Sequence, residues 1–422
     1  MSALLHPLRA HRRVLLAATM GTAVEFYDFF IYGTAAALVF GELFFPSSSP
    51  AAQTLLAFVS FGLAFLARPF GAIAFGHFGD RIGRKSTLVV SLLTMGISTF
   101  AIALLPTYAV AGWIAPALLC LLRFGQGFGL GGEWGGAALL SAEHAPPGWE
   151  GRFVSVMQLG TAIGFFAANG VFLLLGLLLD QAQYLAWGWR LPFLGSAVLV
   201  AIGLWVRLRI EETPAFKSAL ETQDIVRVPL FEIATRHGWQ LLAGSAGVVS
   251  TFALFYLATA FALSLAVSEL GYPRETFLLL QLIADCFLAV GVLLAGTLTD
   301  RIGARRVITG GAIATVLIGL VFEAGLRAGS LVLACLSLSA AMLVLGFNNG
   351  PLGTWLAELF PVRSRYTGVS LTFNLGGILG GAGVPIIAQW LVVQGASQTT
   401  TMLLLTAGLI TLAGVLFGRA RC

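Results

Sequence analysis

Gly76-His77-Phe78-Gly79-Asp80-Arg81-Ile82-Gly83-Arg84-Lys85 and Gly296-Thr297-Leu298-Thr299-Asp300-Arg301-Ile302-Gly303-Ala304-Arg305-Arg306 are two copies of one polar loop, with Asp80 and Asp300 standing 220 residues apart. A second echo pairs Ala142-Glu143-His144-Ala145-Pro146 with Ala357-Glu358-Leu359-Phe360-Pro361 at an offset of 215 residues. Two separate matches at nearly one offset imply an internal duplication. Each copy of the first loop follows a long apolar run, and duplicated membrane halves typically enclose a site between them near the bilayer midplane.

Composition around these loops agrees. Only 10% of the 422 residues are charged and 58% are hydrophobic, with a mean hydropathy of +0.91, against roughly 25% charged in a soluble domain. That excludes a water-soluble globule. Spans of about 20 apolar residues cross a bilayer as helices, and the hydropathy pattern predicts twelve: 14–40, 51–79, 86–105, 110–142, 152–179, 188–208, 239–268, 275–299, 305–326, 330–358, 365–393 and 399–418. The expected architecture is an all-α membrane protein of two six-helix bundles, 1–208 and 239–422, joined by a cytoplasmic loop at 209–238. The 51 glycines are scattered through the apolar runs, where small residues let membrane helices pack closely.

Lys and Arg accumulate on the cytoplasmic side of membrane proteins. With both termini cytoplasmic, 19 of the 24 basic residues fall in inner segments. Only Arg190, Arg274 and Arg327 fall in outer loops, and Arg68 and Arg123 lie within spans. The net charge of +5 is therefore sorted across the membrane, and nucleic acid is not an expected partner. Cys120, Cys286, Cys335 and Cys422 form no Cys-x-x-Cys pair, so neither a disulfide framework nor a zinc site is expected. Arg12 and Arg13 precede an apolar run as in a secretory signal, but the run soon meets Glu25 and Asp28 and reads as a retained first helix.

The paired Gly-x-x-x-Asp-Arg-x-Gly loops resemble the signature of the major facilitator superfamily. Within it, Gly21-Thr22-Ala23-Val24-Glu25-Phe26-Tyr27-Asp28-Phe29, Arg68-Pro69, Arg123-Phe124-Gly125-Gln126-Gly127, Gly131-Gly132-Glu133-Trp134, Trp189-Arg190-Leu191-Pro192-Phe193 and Glu212-Thr213-Pro214-Ala215-Phe216 resemble the metabolite:proton symporters. Gly132-Glu133-Trp134-Gly135-Gly136-Ala137-Ala138-Leu139-Leu140-Ser141 most resembles the shikimate transporter branch. The resemblance implies a multi-pass, monomeric carrier of the bacterial-type cytoplasmic (inner) membrane. It would need no cofactor beyond a proton gradient. Ala304 stands where the family often has another arginine, which implies a weaker latch there. The family's osmolyte transporters extend into a long coiled coil, whereas this chain stops at Cys422; osmosensing of that kind is not expected.

A charge inside the bilayer costs at least ~2.5–3.5 kcal/mol and marks function by default. The intramembrane charges are Glu25, Asp28, Arg68, Arg123, Glu133 and Asp285. Glu25, Asp28 and Tyr32 are spaced i, i+3, i+7 and share one helix face. By helical rise Glu25 lies ~16 Å deep. Burial opposes the charged form of a carboxylate and a nearby arginine favours it, so such a group can exchange protons near physiological pH. The family resemblance points to Asp28 as first proton-coupling candidate and Glu25 as second, with Glu133 a further one. Permanent pairing of either of the first two acids with Arg123 or Arg68 is the competing structural reading.

Arg123, counted as ~20 Å into span four, shares a polar sector with Gln126 and Glu133. Its planar fork suits a substrate carboxylate; a fixed ion pair is the alternative. Arg68 reads as structural. Tyr32, Trp134, Tyr256, Gln281, Asp285, Asn348, Asn349 and Asn374, with Glu25 and Asp28, complete the candidate substrate contacts, each weighed against helix packing. For the cytoplasmic gate the candidates are Gly76, Asp80, Arg81, Arg84, Glu143, Arg152, Asp300, Arg301, Glu358 and Arg365. Asp80 would meet the positive end of helix eleven, and Asp300 the start of helix five near Arg152.

Gly125-Gln126-Gly127-Phe128-Gly129 has a nucleotide-loop flavour but lies in a span without βαβ context, so close packing explains it. No P-loop, metal-ligand set or nucleophile elbow occurs. The expected function is import of a small organic acid or related polar metabolite, shikimate-like or another carboxylate, coupled to protons by alternating access. The alternatives are efflux by proton antiport and, from another class, an intramembrane enzyme or a non-transporting receptor.

Overall fold

A computed structural model describes residues 8, 11–46, 49–82, 84–131, 133–208, 233, 235–361, 364–396 and 400–418; side chains are described for all of these except 13, 14, 76–82, 84–88 and 206–208. The central loop expected at 209–238 lies largely outside them.

Twelve apolar helices follow in chain order. They are α1 (Leu15–Phe44), α2 (Pro50–Ile82), α3 (Arg84–Ala103), α4 (Ile114–Glu143), α5 (Glu150–Leu178), α6 (Leu191–Leu208), α7 (Gly238–Ser268), α8 (Arg274–Ile302), α9 (Ala304–Arg327), α10 (Leu331–Glu358), α11 (Arg365–Val393) and α12 (Thr401–Phe417). Among the described residues there are no strands. Leu121, Ile97, Leu177, Val332 and Phe417 are each about two-thirds exposed. An apolar perimeter of that kind calls for lipid, and in lipid only internally hydrogen-bonded helices or closed barrels survive. The chain is a multi-pass helical membrane protein.

Burial separates centre from rim. The most apolar window of α7 is 100% enclosed and that of α1 89%, whereas α6 reaches only 33%. The halves meet along two related seams, α5 against α8 and α2 against α11.

The ends of the spans fall close to the expected positions, and the departures lie inside them. A π turn interrupts α1 at Ala36–Phe40 and α7 at Leu257–Phe261, positions 221 apart and so nearly on the offset of the duplicated loops. A third interrupts α11 at Ile378–Gly383. Such turns free carbonyls that need donors, and Gln281 Nε2 supplies Ala258 and Thr259 of α7 at 3.1 and 2.8 Å. Span four departs most. Tyr108–Ala111 forms a separate short helix, Gly112 turns the chain at φ +57°, and α4 starts at Ile114. Arg123 is therefore nine residues, or about 14 Å, from the outer end rather than ~20 Å.

The glycines of Gly125–Gly129 pack as expected. A Cβ at Gly127 would strike the backbone of Ala64 in α2, one at Gly129 the backbone of Ser91 and Met95 in α3, and one at Gly125 the hydroxyl of Ser98.

Candidate substrate cavity and proton relay

The molecule is closed on both sides of its centre. Toward the end expected to face outward, Phe30 of α1 stacks on Phe255 of α7 at 4.6 Å, and Asn169 of α5 donates to Gln281 of α8 at 3.3 Å while accepting from Thr34 at 2.6 Å. Above them Arg274 lies over the Tyr184 ring at 3.9 Å and reaches Gln181 at 3.3 Å. Toward the inner end, Trp134 stacks flat on Phe373 at 3.6 Å and its indole donates to Gln158, which donates to Asn349 at 2.7 Å. Asn374 donates to the carbonyl of Gly131 in α4 at 2.7 Å.

Between these seals lies a cavity of about 30 Å³ lined from both halves by Phe26, Phe30, Thr161, Thr251, Phe252, Phe255, Tyr256, Leu345, Asn349 and Phe373. Ligand pockets run to roughly 300 Å³ and above, so this is a collapsed, occluded centre that must widen to hold a metabolite. Among the described residues no charged side chain lines it.

Arg68 and Arg123 sit one ring layer behind. Asp28, 1% exposed, accepts from Thr99 Oγ1 at 3.3 Å through Oδ2, and the Ser196 hydroxyl lies within hydrogen-bonding reach of the same carboxyl group. Gln126 Nε2 donates to the same Thr99 oxygen at 2.8 Å, and Arg123 Nη1 donates to Gln126 Oε1 at 2.9 Å. Asp28 and Arg123 are thus linked through two neutral side chains, with no direct ion pair between them. The Arg123 guanidinium, wholly buried, lies over Tyr32, Phe29 and Phe61 at 4.0, 4.1 and 4.7 Å. Arg68 lies over Phe29 and Phe65 at 4.4 and 4.7 Å, so one phenyl ring serves two cations. Glu25 and Tyr256 are within electrostatic reach of Arg68. The rings Phe29, Phe61 and Phe65 in turn contact Tyr256, which lines the cavity.

The remaining candidates scatter. Tyr32 bonds Ser60 at 2.8 Å on α2. Glu133 is buried within α4. Tyr256 lines the cavity; Trp134 abuts it through Phe373. Gln281 braces the π turn of α7. Asp285, 2% exposed with Oδ1 unpartnered, lies outside the cavity lining. Asn348 turns toward α9, bonding Thr315 at 2.9 Å, and its neighbour Asn349 faces the centre instead. Thr99, Gln158, Asn169, Thr161 and Thr251 were not singled out from the sequence. Gln158 and Asn169 carry the signal that flagged Asn348, an amide within an apolar run; lone hydroxyls carry none.

At the end expected to face the cytoplasm a larger cavity of about 440 Å³ includes Glu143, Asp300, Glu358 and Arg365 in its lining. Asp300 Oδ1 accepts from the Gly151 amide at 2.7 Å, in the first turn of α5, and Oδ2 pairs with Arg152 at 3.3 Å. That is the contact expected of the second loop. Arg365 donates to the Phe360 carbonyl at 3.3 Å, and Arg301 is exposed. The side chains of Asp80, Arg81 and Arg84, with Gly76, lie outside the described residues, so the matching latch of the first loop does too.

Known proteins agree with this architecture. The chain is 46% identical over 393 residues to the inner membrane metabolite transport protein YhjE of Escherichia coli (strain K12), covering 91% of this chain and 89% of that one. It is 38% identical to the shikimate transporter of the same organism, covering 90% and 88%. The structure is similar to that of a D-xylose-proton symporter, with a TM-score of 0.73, 20% identity and 96% of each chain covered. These relatives are transporters rather than enzymes. Residues 18–385 match the family described as Major Facilitator Superfamily, and the chain belongs to that family of membrane transporters.

Proposed function

We propose that this transporter imports a small organic acid together with a proton, that Asp28 carries the proton, and that the central aromatic cavity receives the acid. The protein would lie in the inner membrane with both termini cytoplasmic, as the distribution of Lys and Arg favours. The observation that carries the reading is Asp28 itself: a buried carboxylate with no ion pair among the described residues, met by the hydroxyls of Thr99 and Ser196 and tied to Arg123 only through Thr99 and Gln126. A structural acid would be locked into a direct pair.

The coupling follows from charge. With Glu25 and Asp28 ionised, two carboxylates offset the guanidiniums of Arg68 and Arg123 behind the ring layer. Protonation of Asp28 leaves that cluster with one net positive charge. In a water-poor interior such a charge acts over the ring layer with little screening, and it attracts an anion into the cavity. Arg123 serves here as the counter-charge of Asp28 rather than as a direct clamp, because Phe29, Phe61 and Tyr256 stand between it and the cavity. Closing around the anion, rocking of the halves and release of the proton inside complete the cycle.

Proteoliposomes given an inward-directed proton gradient and a panel of radiolabelled organic acids test this. Wild-type protein should accumulate at least one acid. Asp28→Asn should abolish accumulation while leaving solute exchange measurable; undiminished accumulation in that variant overturns the assignment.

A further inference from the structure

Thr161 of α5 and Thr251 of α7 face the central cavity from opposite halves, 5% and 6% exposed, and neither hydroxyl has a hydrogen-bond partner. A helical threonine buried in an apolar span commonly returns its proton to the carbonyl four residues earlier. In this chain Thr99, Thr259 and Thr315 do so, to Met95, Phe255 and Gly311. Thr161 and Thr251 forgo that bond. Other buried hydroxyls, such as Ser370 and Thr372, also lack partners, but they are not part of this lining. A polar group left unmatched in a poorly solvated interior is costly until something bonds it, and the space beside these two belongs to the ligand. Phe30 with Phe255, and Phe252 with Phe373 at 4.9 Å, supply apolar faces next to them.

We propose that Thr161 and Thr251 are a cross-half pair of substrate-binding hydroxyls, and that the substrate is a small carboxylate whose skeleton carries uncharged hydroxyl or carbonyl oxygens beside an apolar face. Because one hydroxyl comes from each half, the same ligand oxygens draw α5 and α7 together, so binding and closure are one event. A fully deoxygenated acid of the same shape leaves both hydroxyls unmatched, and sites built to bond a substrate hydroxyl discriminate strongly against analogues without it. The proposal rests on the central cavity being the substrate site; it does not need Asp28 to carry the proton.

Calorimetric titration of the purified protein in lipid nanodiscs tests it with matched acids: shikimate against cyclohex-1-ene-1-carboxylate, malate against succinate, and lactate against propionate. At least one oxygenated acid should bind about tenfold or more tighter than its deoxy partner. Thr161→Val and Thr251→Val should each weaken that acid about three- to tenfold, the worth of one hydrogen bond, while leaving the deoxy partner within about twofold. Thr161→Ser and Thr251→Ser should retain the preference. The valine variants should not lower the Tm of ligand-free protein, since each removes an unmatched hydroxyl at nearly constant volume. An oxygen preference that survives both valine variants, equal binding of both members of every pair, or no binding of any of these acids overturns the proposal. Binding in nanodiscs reads no proton movement, so failure of the hydroxyl pair and failure of proton coupling are separate results.

Discussion

Arg123 illustrates how a single intramembrane charge is accommodated. Its guanidinium is enclosed by three rings, which offer cation–π contacts worth ~2 kcal/mol or more when desolvated, and by Gln126 and the Phe61 carbonyl at 2.9 and 3.3 Å. Nη2 remains unpartnered. Gln126→Leu would leave Nη1 unmatched as well and cut the link to Thr99. Losing one partner of a buried charged donor costs at least ~1–3 kcal/mol, so this variant should melt at a lower temperature in detergent and accumulate less acid under a proton gradient. An unchanged melting curve together with unchanged accumulation would remove Gln126 from the relay. The depth of Asp28 and its shared face with Glu25 and Tyr32 are legible along the chain. Its tie to Thr99, 71 positions away, is not.

At the scale of the helix, close packing and local breaks decide what faces the centre. α2 and α4 approach so nearly that Gly127 has the Ala64 backbone where a Cβ would stand, whereas Gly310 on α9 has nothing within 4 Å. Gly127→Ala should therefore destabilise the folded protein by about 1–3 kcal/mol or more, the range for overpacking, and Gly310→Ala should be neutral. Size-exclusion recovery after graded heating separates the two, and equal recovery would mean that the α2–α4 contact relaxes at no cost. The π turns were not legible, because they depend on which neighbour supplies the missing donor. For α7 that neighbour is Gln281 on another helix. The same limit explains why Asn349 rather than Asn348 faces the cavity: adjacent residues differ by 100° about the helix, and an all-apolar surround gives no preferred side.

Across the whole molecule, the seam of α8 with α5 and with the short helix Gln181–Ala186 that follows it is fastened at three levels: Arg274 with Gln181 and Tyr184, Asn169 with Gln281, and Asp300 with Gly151 and Arg152. Alternating access requires one end of this seam to part while the other holds, so each fastening biases the balance between conformers. Asp300→Ala removes the inner fastening alone. Thr354 lines the cytoplasmic cavity, and a cysteine placed there in an otherwise cysteine-free background should react several-fold faster with an impermeant maleimide in inside-out vesicles once Asp300 is replaced. Equal rates would show that the Asp300 contact does not hold the gate.

Apart from Glu323 of α9, which is buried against Arg327 and Thr400, local order along the chain was enough for the count of spans, the duplication at a 220-residue offset and the charges buried within the protein. Each of these follows from the free energy of placing one residue or one run of about 20 in hydrocarbon. Partner choice needed the folded chain: the ring layer between Arg123 and the cavity, the Thr99–Gln126 bridge, and the placing of Thr161 and Thr251 on one cavity. In water a helix announces its buried face by an apolar stripe. In a bilayer lipid-facing and helix-facing sides are both apolar, so the stripe fades and only assembled neighbours reveal which side chains meet.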